Sequence, residues 1–382
     1  MKRSTDRILT THAGSLPRPP DLLDMVVAQE QGERVDAAAF DRRLRSAVDE
    51  MVQSQVRAGI DVISDGEMSK PSFNGYANAR LAGFEGAPAE QVPGGFPDVQ
   101  AFPGLAERLF RSNRIVRSQP ACTGPVSYKG VPAVERDLAN FSAALNGARY
   151  EEAFLPAATP GGIISRPNQH YATEEDFIFA VADAMKVEYE AISAAGFLLQ
   201  LDAPDMALGR SAWYGDKPVS VFQQHLELCV AALNRALANI PADQARLHVC
   251  WGNWAGPHHF DVPLADIIDI LLKAKVGALY VEAFNPRHEH EWTVFEKTKL
   301  PDGMALIVGM IDTKTNYIEH PQSIAQRLQR YAGLVGRENL IAGTDCGFGT
   351  TADRSTVLPE VAWAKLSSLA EGARLASKAL WP

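Results

Sequence analysis

The chain has 382 residues, 46% of them hydrophobic and 22% charged, which is the composition of an ordinary folded protein rather than of a disordered or fibrous one. The formal net charge is −9, so nucleic acid and anionic membranes are not expected partners and a small molecule is the default ligand. No stretch approaches the ~20 consecutive apolar residues of a membrane span, and no apolar run of signal-peptide length follows the start. We therefore expect a cytoplasmic protein.

Short β-prone runs alternate with longer helical segments along the chain. The predicted strands, in chain order, are ILTTHAGS (8–15), DVISDGE (61–67), FLLQLDAP (197–204), LHVCWGN (247–253), ALYVEAF (278–284), ALIVGMID (305–312) and LIAGTDCG (340–347). Two helices are well marked, at 38–59 and 175–196, and each ends in glycine. An eighth strand is expected within 114–160, where 120–128 and 154–160 compete for it.

This alternation predicts an α/β fold with a parallel sheet covered by helices. Eight strands would close a (β/α)8 TIM barrel, whereas seven or fewer would leave an open, doubly wound sheet. We favour the barrel because chemically distinctive residues follow nearly every strand, and barrel enzymes keep their active sites at the carboxyl ends of their strands. We interpret residues 1–382 as one domain with a long insertion around 71–113, which is rich in Gly, Pro and Phe.

Four residues at predicted strand ends form a candidate metal site. His248 and Cys250 are two residues apart on one strand, so their side chains share a face. Glu282 and Cys346 end two other strands. A single buried cysteine or histidine is usually a packing residue, but together these residues supply the nitrogen, sulfur and oxygen donors that favour zinc over magnesium.

The charge of this ligand set indicates its chemistry. Two thiolates and one carboxylate outweigh the charge of Zn²⁺ by one unit, which makes the centre a poor Lewis acid. A thiol that binds such a centre is nevertheless bound as a thiolate and stays nucleophilic. We therefore expect the metal to activate a substrate thiol for attack on carbon, and we expect that thiol either to displace one ligand, Glu282, or to expand the coordination.

A set of motifs resembles the catalytic barrel of the cobalamin-independent methionine synthase family, in its short single-domain branch. The motifs are HAGSLPRP (12–19), DGE (65–67), TGPVSY (123–128), LQLDAP (199–204), HVC (248–250), GMID (309–312) and DCG (345–347), together with the strand that bears Glu282. The resemblance implies that His248, Cys250, Glu282 and Cys346 bind Zn²⁺, which activates homocysteine for methylation by a folate.

The resemblance also implies a pocket for the amino-acid part of the thiol substrate. Gly14 and Ser15 would bind its carboxylate, and the acids Glu67 and Asp202, which we consider the catalytic pair, would bind its ammonium group. Further candidates for contact with the substrate or with the alkyl donor follow other predicted strands; they are Tyr128, Asp312 and Asn316.

Two departures from the family pattern leave the alkyl donor open. Full-length members carry an additional N-terminal barrel that helps bind a polyglutamyl folate, and 382 residues leave no room for it; a methyl-folate remains one candidate co-substrate. The segment FNPRHEHEW (284–292) places Arg287 and His288 just after Glu282, where they could bind an anion.

Such an anion site is compatible with an epoxyalkane:coenzyme M transferase, a relative that adds a sulfonate-bearing thiol to an epoxide with the same zinc chemistry. The alternative outside the enzymes is a barrel that binds or stores a metal without catalysing a reaction. The related barrel that decarboxylates uroporphyrinogen without a metal does not account for two cysteines and a glutamate at strand ends. The sequence leaves a homo-oligomer open.

Overall fold

The computed structural model describes residues 1–86, 97–102, 104–105, 119–349, 351–353 and 355–382. Eight parallel strands form one sheet in the order β1, β10, β9, β8, β7, β6, β5, β2. They are Leu9–Thr10 (β1), Val62–Ser64 (β2), Glu152–Ala158 (β5), Leu198–Ala203 (β6), Ala245–Val249 (β7), Ala278–Val281 (β8), Ala305–Gly309 (β9) and Leu340–Gly343 (β10). The predicted (β/α)8 barrel is confirmed.

The barrel closes between its first two strands in sequence, which stand at opposite ends of the strand order. The amide of Asp61 donates to the carbonyl of Thr10 over 3.2 Å, and the hydroxyl of Thr11 donates to the carbonyl of Val62 over 3.0 Å. These bonds satisfy backbone groups that an open sheet would leave unpaired at its edges.

Of the two segments that competed for the eighth strand, the later one is correct, because β5 occupies Glu152–Ala158. The prediction of a barrel strand at 120–128 is wrong. Its last two residues, Ser127–Tyr128 (β4), pair antiparallel with Leu81–Ala82 (β3) in a separate two-stranded sheet. Part of the predicted insertion, at 87–96, 103 and 106–113, lies outside the described residues.

Helices cover the outside of the barrel. They are Pro20–Glu30 (α1), Ala37–Ala58 (α2), Ala77–Arg80 (α3), Pro97–Gln100 (α4), Val131–Ala144 (α5), Pro160–Ile163 (α6), Glu174–Ala194 (α7), Leu208–Trp213 (α8), Val219–Ala236 (α9), Leu264–Leu271 (α10), Pro321–Val335 (α11) and Pro359–Leu380 (α12). Short 3-10 turns lie at Pro204–Met206, Ala242–Gln244, Glu289–Glu296 and Arg337–Asn339. Among the described residues, no helix is both long and apolar enough to cross a bilayer.

The helix predicted at 38–59 shows why these boundaries can be read from the sequence. The carboxylate of Asp36 accepts a hydrogen bond from the amide of Ala39 at the helix start. At the other end, Gly59 has φ +82°, a left-handed conformation that glycine adopts without strain. The predicted helix at 175–196 corresponds to α7.

Inside the barrel, alternate strand residues point towards the axis. Arg246 on β7 is buried there: its guanidinium carbon lies 3.7 Å from the ring centroid of Phe154, and its Nε donates to Gln200 over 2.9 Å. It also donates to the hydroxyl of Thr11 and to the carbonyl of His12. The interior is therefore a packed polar and aromatic layer rather than a channel, and the residues two positions further along β7 rise above it.

Candidate active site

His248 follows Arg246 by two residues and therefore faces the same way, above the barrel's interior layer. It is the register partner of Asp202 on β6, whose carboxylate lies 3.0 Å from the ring Nδ1. Burial opposes the charged ring, but the hydrogen bond to Asp202 and the nearby Cys346 raise the pKa of His248 to about 10. Asp202 thus fixes the orientation of the ring and leaves Nε2 directed elsewhere.

The two cysteines predicted as ligands meet at the barrel mouth, with their sulfur atoms 3.4 Å apart. Cys250 follows β7 and Cys346 follows β10, and both are buried. The hydrogen bond between them, with burial, raises the pKa of Cys250 well above its usual range. The same bond, opposed by burial and supported by His248, lowers the pKa of Cys346 to about 6. Cys346 is therefore poised as a thiolate beside a protonated partner.

Glu282 lies at the end of β8, next to this pair. Its Oε1 accepts a hydrogen bond from the amide of Trp251 over 3.0 Å. Its Oε2 accepts from Asn285 and from Arg287, both over 2.8 Å. Burial would raise the pKa of Glu282, but Arg287, Lys314 and His288 outweigh burial and lower it to about 2. The carboxylate is thus ionised, and three donors hold it.

The donor atoms at this mouth fit zinc by their chemistry, although they are not arranged as a complete site. Within the described residues, no group of three or more His, Cys, Asp or Glu side chains is placed to hold a metal ion as it stands. Yet Nε2 of His248 is buried and makes no hydrogen bond to a described residue, a costly arrangement. It belongs to the same cluster as two sulfurs, and this imidazole and thiolate set is the one that zinc prefers.

The two acids predicted to bind an ammonium group are both buried and act on each other. Burial raises the pKa of Glu67 to about 8; the positive charge of Lys70 opposes this, and the negative charge of Asp202 adds to it. Glu67 also has φ +60°, a left-handed conformation that is uncommon for a residue with a side chain. Strain of this kind concentrates at functional sites.

The predicted turn at Gly14 and Ser15 adjoins both the acids and the cysteine pair. A β-carbon on Gly14 would lie 2.6 Å from Oε1 of Glu67, so only glycine leaves room for that carboxylate. The hydroxyl of Ser15 donates to the carbonyl of Gly349 over 2.9 Å and accepts from its amide. Ser15 and Glu67 line one small cavity with Phe348. Eight of the predicted substrate and metal residues thus lie around one mouth: Gly14, Ser15, Glu67, Asp202, His248, Cys250, Glu282 and Cys346.

Other predicted site residues are held by protein partners. The hydroxyl of Tyr128 donates to Glu188 over 2.5 Å, in the cluster around the two-stranded sheet. Asn316 is exposed and bonds the backbone of Thr356 and Leu358. Asp312 accepts from the amide of Lys314 and the hydroxyl of Thr315. In this structure Tyr128 joins its strand to the helix that bears Glu188, and Asp312 and Asn316 hold loops.

The basic residues after β8 are matched by acids. Arg287 contacts Asp261 over 3.0 Å as well as Glu282. His288 lies 3.1 Å from Asp261 and 2.9 Å from Glu291. Burial opposes the charged ring, but these carboxylates raise the pKa of His288 to about 9. The positive charges predicted to bind an anion therefore already face anions.

One residue of the site was missed by the sequence reasoning. The ammonium group of Lys314 is buried among the charges of the mouth, and the residue lies two positions from each of the named candidates Asp312 and Asn316. From the sequence alone, a lysine inside the loop IDTKTN is expected to be exposed to solvent. The sequence pattern that could have identified Lys314 is its position two residues after Asp312, just beyond a buried strand, because residues two apart on an extended segment share a face.

The fold and this mouth define the class: a (β/α)8 barrel with a thiol, imidazole and carboxylate cluster at the carboxyl ends of its strands. A family model described as "Cobalamin-independent synthase, Catalytic domain" matches residues 8–93. A methionine synthase of Thermococcus kodakarensis is 25% identical over 373 residues, which cover 97% of this chain and 94% of the relative. A 2-hydroxypropyl-CoM lyase of Xanthobacter autotrophicus is 24% identical and covers 88% of this chain and 86% of its own.

A solved structure of a B12-independent methionine synthase from Shewanella, in complex with selenomethionine, has the same fold. It superimposes with a TM-score of 0.70 at 20% identity and covers 98% of this chain and 99% of its own. The resemblance read from the motifs is confirmed: this chain is similar to methionine synthases of the cobalamin-independent type along almost its whole length.

Proposed function

We propose that this protein is a zinc-dependent methyltransferase of the methionine synthase type, which transfers a methyl group to the sulfur of homocysteine or a similar thiol. The observation that carries the proposal is the contact of 3.4 Å between the sulfurs of Cys250 and Cys346. Beside them lies Nε2 of His248, which has no hydrogen-bond partner among the residues that the structure describes. Zinc held by these three residues, with Glu282 as an exchangeable fourth ligand, would keep the substrate sulfur as a thiolate.

The protein's own residues would orient the substrate around that sulfur. Asp202 holds His248 in one orientation through Nδ1, as a carboxylate does behind a metal-binding histidine. Glu67 loses its proton when a substrate ammonium arrives, since an adjacent positive charge favours the ionised acid. The turn at Ser15 packs against Gly347, the residue after Cys346, where its backbone could receive the carboxylate of the amino acid.

The identity of the alkyl donor is open. A methyl-folate is the donor that the family resemblance implies, and we retain it as the first candidate co-substrate. We place the reaction in the cytoplasm, because the four cysteines are free and a thiolate site needs a reducing compartment.

Addition of a thiol to an epoxide is the second candidate, and the similarity to the 2-hydroxypropyl-CoM lyase favours it over other thiol chemistries. In that reaction Arg287 and His288 would bind the sulfonate of the thiol. Both residues face carboxylates, chiefly Asp261, which would have to be displaced or outcompeted. We therefore rank methyl transfer first.

The test is a panel of thiols assayed with methyl donors and with epoxides on the zinc-loaded protein, with product mass as the readout. We expect a mass increase of one methyl group on homocysteine. Cys346→Ser should lose zinc and activity, whereas Cys122→Ser, which changes a buried cysteine whose thiol donates to the carbonyl of Gly124, should keep both. A product from an epoxide but none from a methyl donor would reverse the ranking. If Cys346→Ser kept bound zinc and full activity, the assignment of Cys346 as a ligand would be refuted.

A further inference from the structure

Lys314 occupies the loop that follows β9, at the barrel mouth. Its backbone amide donates to Asp312 over 3.1 Å, which shapes the loop. The carbonyl of Ile311 accepts from the amide of Asp345, the residue before Cys346, over 2.9 Å. These bonds tie the loop of Lys314 to the strand end that carries the thiolate, so its placement is set by the fold.

The ammonium group of Lys314 is buried and has no hydrogen-bond partner in the part of the chain that the structure describes. The side chain is 8% exposed, and its ion-pair contact is to Asp312 over 4.0 Å. An ammonium carries three N–H donors, and leaving them unsatisfied away from water is costly. By contrast, the buried Lys365 contacts both oxygens of Glu319 over 2.8 Å. Lys314 therefore has free bonding capacity where a ligand would bind.

The charges around Lys314 belong to the thiol centre. Burial would lower the pKa of Lys314, but the negative charges of Glu282 and Cys346 raise it overall. In return, Lys314 is among the charges that favour the thiolate forms of Cys346 and Cys250. The lysine is thus a fixed positive charge that acts on the two sulfurs.

We propose that Lys314 binds the anionic sulfur of the substrate at the Cys250–Cys346 pair, and this inference rests on the proposed thiolate chemistry. A substrate thiolate that displaces Glu282 from zinc would add one negative charge to the mouth, because the low pKa of Glu282 keeps its carboxylate ionised there. Arg287 is engaged by Glu282 and Asp261, whereas Lys314 can turn its free N–H donors to the new anion. Lys314 thereby selects a thiol over the thioether that results from its alkylation.

The experiment compares a thiol with its S-methyl ether, because the two differ in the charge on sulfur while the rest of the molecule is the same. Binding of homocysteine and of methionine to the zinc-loaded protein is measured by titration calorimetry, with zinc content determined for each sample. The variants are Lys314→Met, which removes the charge, and Lys314→Arg, which restores it. The control is Lys273→Met, which changes an exposed lysine paired with Glu227.

Lys314→Met should weaken homocysteine binding about 10- to 100-fold, the effect of losing a charge-assisted hydrogen bond in a buried site. Methionine binding should change by less than about twofold on the same reasoning. Zinc content should stay at the wild-type level, and Lys314→Arg should recover part of the homocysteine affinity. An equal loss for thiol and thioether would indicate a structural role and overturn the proposal, as would no loss for either.

A second pair, 2-mercaptoethanol and its S-methyl ether, separates this inference from the identity of the substrate. If wild-type protein binds the small thiol but neither amino acid, the proposed amino-acid substrate fails while Lys314 is still tested on the small pair. If the wild type prefers the thiol of neither pair, the role of Lys314 is overturned together with the thiolate chemistry.

Discussion

A substitution of Gly14 tests the proposed substrate pocket directly, because the carboxylate of Glu67 occupies the space where a side chain at position 14 would lie. Gly14 has φ +128°, a conformation that residues with a side chain rarely adopt. A β-carbon there would lie 2.6 Å from Oε1 of Glu67 and 3.0 Å from Cγ of Pro156. Gly14→Ala must therefore strain the backbone and also push the Glu67 carboxylate out of its place.

These two effects have different magnitudes and readouts. The backbone strain should lower the free energy of unfolding by about 1–3 kcal/mol. The displaced carboxylate should lose its charged hydrogen bond to a substrate ammonium, about 1.5–3 kcal/mol. Since 1.4 kcal/mol corresponds to a factor of ten, the KM for homocysteine should rise about 10- to 100-fold.

The matched control is Gly147→Ala, since Gly147 also has a positive φ, +78°, but a β-carbon there would meet no atom of the described residues within 4 Å. Both variants should melt at a lower temperature in calorimetry, and the rise in KM should belong to Gly14→Ala alone. The reasoning is refuted if the two variants lose similar stability and Gly14→Ala keeps a KM within about twofold of the control.

Two further predictions concern single hydrogen-bonding groups. The folded-state pKa of Glu67 is about 8, above the ordinary value of about 4.3, so the stability associated with its neutral form is lost as the pH rises towards 8. Glu67→Gln stays neutral, and denaturant unfolding should find that its stability relative to the wild type increases from pH 5 to pH 8; a constant difference would contradict the raised pKa. Tyr128→Phe removes a hydroxyl bound to Glu188, so it should cost about 1 kcal/mol of stability and leave the KM for homocysteine unchanged; a raised KM would return Tyr128 to the substrate site.

The sequence predicted the parts of the site that depend on strand geometry alone. His248 lies on β7 and Cys250 directly follows this strand, so the two-residue period of a strand was enough to predict that their side chains share a direction. Cys346 comes close to Cys250 because parallel strand ends meet at the same mouth, and that needs only the barrel. Helix limits such as Gly59 were equally accessible, since a left-handed cap is a local property.

The rest depended on partners that are distant in sequence. The sequence alone could not place Arg287 against Asp261, because the contact joins the loops after β8 and β7. The same holds for the bond of Tyr128 to Glu188, 60 residues away. A sequence predicts that basic residues near a strand end are available to bind a ligand, because it does not show the acidic residues that pair with them.

The interior of the barrel connects the proposed metal end with the proposed amino-acid end. Arg246 donates to Gln200 over 2.9 Å, and the amide of Gln200 donates to the carbonyl of Ala13 over 2.6 Å and to Asp202 over 2.8 Å. Asp202 in turn holds His248. The turn at Ala13 is therefore fixed by the same buried network that orients the histidine. Every donor and acceptor in this series of hydrogen bonds is buried. A displacement of the side chain at one end would therefore leave a polar group at the other end without its partner. The position of an amino acid bound at the proposed site, relative to the two sulfurs, would thus be set by the packed core beneath the mouth.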